Sequence, residues 1–276
     1  MRNLLVRYVR PLAPALRMAL GPTRFRKLRE AFSLGNPHDE VRLVACALAK
    51  QRGTAGMMLD VGGHHGESFE EFAEHGWRVH CFEPNMKNHP HISRRISNIG
   101  GDVTVFPVAV SNQPQTGLTF FLSDESSGIS SLHAFHATHK KGFQVDAITL
   151  ADHCDAHSIS KVDFLKIDVE GHDFFVLQGI NWEKMRPDVI VCEFEDGKTK
   201  SLGYTFVDMA EYLVARRYRV IVSEWYPIER YGVAHKWRRY ARYPCSLQDP
   251  EGWGNLIAVR SDSDYQLLLH QEPKLM

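Results

Sequence analysis

Short apolar, β-branched runs recur along the chain, and the stretches between them place apolar residues three and four apart. The runs are MMLDV (57–61), WRVHCFE (77–83), VTVFPVAV (103–110), VDFLKIDV (162–169), DVIVCEFE (188–195), YRVIVSEW (218–225) and NLIAVR (255–260). Runs apolar at nearly every position are strands covered on both faces, and helical spacing between them marks crossover connections. Phe69, Phe72, Ala73 and Gly76 give one such helix; Phe206, Met209, Ala210 and Leu213 give another within 205–217. Seven strands joined this way predict an α/β sheet, mostly parallel, with helices on both faces. Two segments break the alternation: 111–160, rich in Ser and His, and 227–254, rich in aromatics and Arg. Insertions of that size at strand ends are expected to contact substrate.

Composition narrows the class. The chain has 276 residues, 43% hydrophobic and 24% charged, which suits one α/β domain with decorations. A formal net charge of zero gives no electrostatic footprint for nucleic acid, and none is expected as a partner. The balance hides an asymmetry: residues 1–30 carry eight basic side chains against Glu30 alone. Arginine or proline interrupts every apolar run there, so the segment is too short in apolar residues to span a membrane or to serve as a signal peptide. Residues 1–45 are expected to form a basic helical arm and residues 46–276 the catalytic domain. The arm reads first as a packing element, with peripheral contact to an anionic membrane surface as its alternative. Five widely spaced cysteines without a C-x-x-C pair suggest reduced thiols in a cytoplasmic protein, at most peripheral to the inner membrane. Nothing in the sequence sets the oligomeric state.

The candidate chemistry lies where strands end. LDVGGHHGESFEEFAEHG (59–76) reads as strand, glycine turn and helix, which puts the turn at the carboxyl edge of the sheet. A phosphate loop needs Lys and Ser/Thr after its last glycine, but Glu67 and Ser68 stand there; Gly62, Gly63 and Gly66 also lack the first interval of G-x-G-x-x-G. The turn therefore favours a nucleoside without phosphates and excludes a nicotinamide oxidoreductase. Asp60 suits a ligand with a positive charge or hydroxyl donors, and Glu83, at the end of the second strand, suits ribose hydroxyls. S-adenosylmethionine meets both demands.

Together LDVGGHHG, VHCFEPN, VFPVAVSN, VDFLKIDVEGHDFFVLQG and VIVCEFE resemble the FkbM-type methyltransferases over about residues 57–200. The resemblance implies a class I methyltransferase fold, a Rossmann-like seven-stranded sheet whose last strand is antiparallel. It also implies O-methylation of a small molecule or glycan. It places the cofactor on Asp60, Gly62, Gly63, Gly66, Glu83, Pro84 and Ala109. His64 and His65 depart from the small or amide residues expected in the turn, and Ser130 and Ser131 match a polar turn assigned to acceptor or cofactor contact.

Acids emerging from the VDFLKIDVEGHD run are the catalytic candidates: Asp168 and Glu170, with His172 beside them. Methyl transfer to oxygen needs an aligned acceptor and a group that takes its proton. For Glu170 the competing reading is a first-turn acid favouring the following helix, and for His172 a helix-start histidine. Glu193, Glu195 and Asp196 gather at the next strand end and could join Asp168 around Mg2+, but a metal-free route is preferred and no metal ligand is assigned. His133, His136 and His139, three apart, would converge on zinc only if helical; a polar acceptor-binding insertion is preferred. The expected function is methylation of a hydroxyl on a sugar, glycan, glycolipid or other small metabolite. The runner-up is a non-catalytic module that binds the same cofactor and serves a partner enzyme.

Overall fold

A computed structural model describes residues 39–51, 55–231, 233 and 235–272. The basic arm expected over 1–45 thus lies outside the described residues except at its end. There the chain enters α1 (Glu40–Val44), capped by Asp39, whose carboxylate accepts from the Arg42 amide at 2.9 Å, and continues as a π-helical stretch, Ala45–Gln51. Val44 and Leu48 are fully buried and Glu40 accepts from the Trp225 indole at 2.9 Å. Residues 40–45 therefore pack as part of the domain. Among the described residues no helix is long and apolar enough to cross a membrane.

The main sheet contains β1 (Met57–Val61), β2 (Arg78–Phe82), β3 (Val103–Phe106), β7 (Phe164–Ile167), β8 (Val189–Glu195), β9 (Arg219–Trp225), β10 (Trp237–Arg242) and β11 (Trp253–Val259). Its order is β10-β9-β11-β8-β7-β1-β2-β3. Strands β3, β2, β1, β7 and β8 pair in parallel, while β11 runs antiparallel between β8 and β9. Helices α2 (Glu70–Glu74) and α3 (His89–Ile99) carry the chain outward from β1 to β3; α5 (Asp173–Gln178) and α7 (Phe206–Ala215) carry it the other way. The order reverses between β1 and β7, so a crevice opens at their carboxyl ends. Alternate residues of each strand enter opposite layers. Leu59, Phe82, Leu165, Ile190 and Leu256 pack under α5 and α7, whereas Met58, Val79, Phe164, Val191 and Ile257 pack under α1, α2 and α8 (Asp262–Gln271).

All seven expected strands are present, with two changes. The run 103–110 divides at Pro107, which has no amide to extend a ladder. Its second piece, β4 (Ala109–Val110), joins β5 (Gln115–Ser123) and β6 (His139–Ile148) in a separate sheet of order β4-β6-β5, which accounts for most of the Ser/His-rich insertion. The chain returns through α4 (Leu150–Ala156). Segment 227–254, expected as an insertion, supplies an eighth strand: β10 pairs antiparallel with β9 at the sheet edge. Arg and aromatic side chains hide such a strand from an apolar-run search, since edge strands favour charge. Arg238 and Arg239 pair with the fully buried Glu224 of β9 at 3.3 and 2.7 Å.

Candidate active site

The glycine turn is shaped first by its neighbours in the fold. Gly62 has φ +83°, and a Cβ there would fall 1.9 Å from the Asp168 carbonyl oxygen; strand ends β1 and β7 approach too closely for any side chain. At Gly63 a Cβ would meet Cys81 Sγ at 2.1 Å, and at Gly66 the Phe69 ring at 2.6 Å. Of the three, Gly62 lines the cleft, while Gly63 and Gly66 let the turn lie on β2 and on the start of α2. His64 adopts a left-handed φ of 45°. Its amide donates to Glu83 Oε2 at 2.7 Å and its ring meets Ser127 Oγ at 2.9 Å. Burial, with His65 beside it, lowers the His64 pKa to about 4, so the ring is neutral.

Glu83, 5% exposed, faces the cleft from the end of β2. Its second oxygen accepts from the Asn85 amide at 2.8 Å. Each oxygen thus holds one main-chain donor and keeps lone pairs for a ligand. Burial raises the Glu83 pKa, opposed by these amide bonds. Pro84, Asn88, Val108, Ala109, Val110 and Phe82 continue this wall. Asp60 stands behind it. Fully buried, Asp60 accepts from Ser68 Oγ at 2.6 Å and lies 3.7 Å from the Lys166 ammonium. Lys166 also donates to the Gly62 carbonyl at 2.8 Å and pairs with Asp168 at 3.4 Å. Burial alone would lower the Lys166 pKa, but Asp168 and Asp60 raise it, so the ammonium ties both strand ends together. The strand stays buried throughout because its lysine is paired.

Asp168, Glu170 and His172 all line the other side of the same cleft. Glu170 has a left-handed φ of 57°, held where Ser131 Oγ donates to its carbonyl at 2.8 Å. Burial raises its pKa to about 7 against the opposing pull of Lys198. His172 meets Ser111 Oγ at 3.0 Å, and burial lowers its pKa to about 4. One oxygen each from Asp168, Glu170 and Glu193 lie within 4.8 Å of one another; Asp168 and Glu193 belong to the grouping considered for Mg2+, while Glu170 was not expected in it and Glu195 and Asp196 are not in this set. The Lys198 ammonium already stands there, 2.6 Å from Glu170 and 3.3 Å from Glu193. His133, His136 and His139 lie outside any helix and bond to Ser201, Thr138 and the Ile129 carbonyl.

Residue patterns missed Lys198, Lys166, Asn88 and Ser127 as members of the site. Lys198 sits in DGKTKSLG, which reads as a solvated turn, and only its complete burial shows otherwise.

The cleft fits the cofactor implied by the sequence. Glu83 offers free lone pairs beside the apolar surfaces of Phe82, Val108 and Ala109, suited to a ribose next to a flat ring. Ser130 Oγ is buried at the wall with no hydrogen-bond partner among the described residues, as expected of a group that a ligand completes. These residues would hold S-adenosylmethionine.

Comparison with solved structures found similar chains at low identity. A precorrin-6y C5,15-methyltransferase from Geobacter metallireducens is 12% identical, with 80% of this chain and 87% of that one covered, at a TM-score of 0.43. An rRNA methylase from Streptococcus thermophilus is 9% identical, covering 83% and 99%, at 0.42. The O-methyltransferase of tomaymycin synthesis from Streptomyces achromogenes, solved with S-adenosylmethionine, is 12% identical, covering 84% and 86%, at 0.42. No curated protein sequence matches the chain. The family profile described as the methyltransferase FkbM domain matches residues 60–220, the span that holds both walls of the cleft. The chain belongs to the FkbM methyltransferase family and is an S-adenosylmethionine-dependent methyltransferase.

Proposed function

We propose that the enzyme methylates a hydroxyl of an uncharged sugar, glycan, glycolipid or similar polyol. The observation that carries this reading is the convergence of Asp168, Glu170 and neutral His172 on one wall, where among the described residues no Lys or Arg lines the cleft. An acidic wall repels phosphate or carboxylate beside the reacting oxygen, and its carboxylates accept hydrogen bonds from neutral hydroxyls. S-adenosylmethionine, when bound, supplies the electrophilic methyl group. Glu83 anchors the nucleoside end, Phe120 of β5 with Ser130 and Leu132 of the connection to β6 line the cleft on its second-sheet side, and Glu170 takes the acceptor proton. The reading is metal-independent, because Lys198 supplies the positive charge among the carboxylates. We place the reaction in the cytoplasm, without nucleic acid; the alternative role of residues 1–30, contact with an anionic membrane surface, would bring glycolipid acceptors within reach.

The test couples titration with S-adenosylhomocysteine to a comparison of glycans from parent and deletion strains, with and without EDTA. Binding, with O-methyl groups lost from neutral glycans in the deletion and EDTA without effect on turnover, is the expected result. Binding with no transfer to any hydroxyl compound would overturn it.

A further inference from the structure

Lys198 is 2% exposed, on the short helix α6 (Asp196–Thr199). Its ammonium reaches Glu170 Oε2 at 2.6 Å, Glu195 Oε2 at 2.8 Å and Glu193 Oε2 at 3.3 Å. The rings of Phe135 and Tyr231, one from each insertion, stand 5.2 and 5.9 Å from it. Burial alone would strip the proton from such a lysine, but Glu170, Glu193 and Glu195 raise its pKa well above the ordinary value. A buried ion network adds little to stability compared with an apolar core of the same shape. Its position against the cleft wall points to the site instead.

We propose that Lys198 is a positioning residue for methyl transfer: its ammonium stands within the Asp168, Glu170 and Glu193 cluster and fixes the Glu170 carboxylate against the cleft, where it receives the acceptor's proton. The proposal rests on the hydroxyl-methylation reading above. In that step the acceptor oxygen's lone pair forms the O–CH3 bond while the S–CH3 bond breaks with its electron pair on sulfur, and the hydroxyl proton passes to Glu170. The groups facing Glu170 are Lys198 from α6, Asp168 from the end of β7, Asp173 from α5, Glu193 and Glu195 from β8, and Tyr231 from the loop before β10. His172 lines the same wall. Four neighbouring carboxyls and burial all favour a neutral Glu170. Lys198 is the group among these that opposes them, and with it the Glu170 pKa settles at about 7, where a base works best near neutral pH.

The test reads titration and rate separately. Infrared difference titration of the protein with S-adenosylhomocysteine isolates Glu170 as the carboxyl band lost in Glu170→Gln. In Lys198→Met its midpoint should rise by about 1–3 pH units, whereas Lys198→Arg should hold it near the parent value. The acidic limb of the kcat profile should move upward in parallel, with cofactor affinity unchanged. A folded, cofactor-binding Lys198→Met whose Glu170 midpoint does not move overturns the proposal. A second measurement, independent of whether Lys198→Met folds, uses the parent chain labelled with 15N-lysine: the Lys198 Nζ resonance should titrate with the Glu170 midpoint and cease to do so in Glu170→Gln. A resonance indifferent to that midpoint overturns the proposal as well. Neither spectroscopic readout needs turnover, so a wrong acceptor class would remove the rate effect and leave both titrations in place.

Discussion

Glu83 and Glu170 are both buried glutamates on the wall of one cleft, yet the first is held by main-chain amides and the second by a lysine 28 residues further along the chain. Amide donors are neutral, belong to the adjacent turn, and arrive with the backbone that folds there. The ammonium carries full charge and must be delivered by another strand-end connection. An acid held by amides is a fixed acceptor, suited to a bound nucleoside, whereas an acid balanced between burial and a buried cation sits at the edge of ionisation. On the proposed reading, one wall binds and the other exchanges a proton.

That contrast can be broken in order of expected effect. Glu170→Gln removes the proton acceptor while preserving shape, and should cut kcat by about 10²–10⁴-fold with the dissociation constant of S-adenosylhomocysteine unchanged. Gly62→Ala places a Cβ 1.9 Å from the Asp168 carbonyl at φ +83°. It should destabilise the fold by about 2–4 kcal/mol in denaturant unfolding, so binding falls only because folded protein is lost. Glu83→Ala should weaken S-adenosylhomocysteine binding by about ten- to a hundredfold, or about 1.5–3 kcal/mol by calorimetry, because it removes charge-assisted bonds and frees the His64 and Asn85 amides. Equal affinity in the variant would show that the ribose lies elsewhere.

A smaller effect comes from a third buried arrangement, a pair of histidines. His80 and His153 share a hydrogen bond of 2.8 Å against Phe82 and Phe106, and burial lowers their pKa values to about 4 and about 3. Both rings are neutral in the fold but take up protons in the unfolded chain below about pH 6.5. Their contribution is therefore complete above pH 6.5 and lost as pH falls toward 4 and 3. Replacing His153 with Phe should flatten the fall in melting temperature across that window. Smallest of all, deleting residues 1–30 should leave cofactor affinity unchanged while abolishing salt-sensitive binding to anionic vesicles. Vesicle binding that survives the deletion would move the membrane contact to the domain.

Much of the cleft was legible in the sequence because parallel strands declare themselves. DVGG and CFEP mark the ends of two apolar runs, and a doubly wound sheet brings such ends together by its topology alone. Asp168, Glu170 and His172 were legible in the same way, and the structure lines one wall with them. The pattern was silent on β10, whose arginines read as an insertion, and on the break at Pro107 that divides one run between two sheets.

By itself, the sequence determined seven of the strands, the glycine turn, the acid at the end of the second strand and the family, since each is written in contiguous residues with a local physical signature. Only the tertiary structure decided which glycine meets the cleft and which merely packs, that Asp60 stands behind the wall bound to Ser68 and Lys166, and that Lys198 is buried among three glutamates. The reason is range. A turn or a strand follows from neighbours along the chain, but the protonation of a carboxyl depends on charges and burial supplied by segments that meet only after folding.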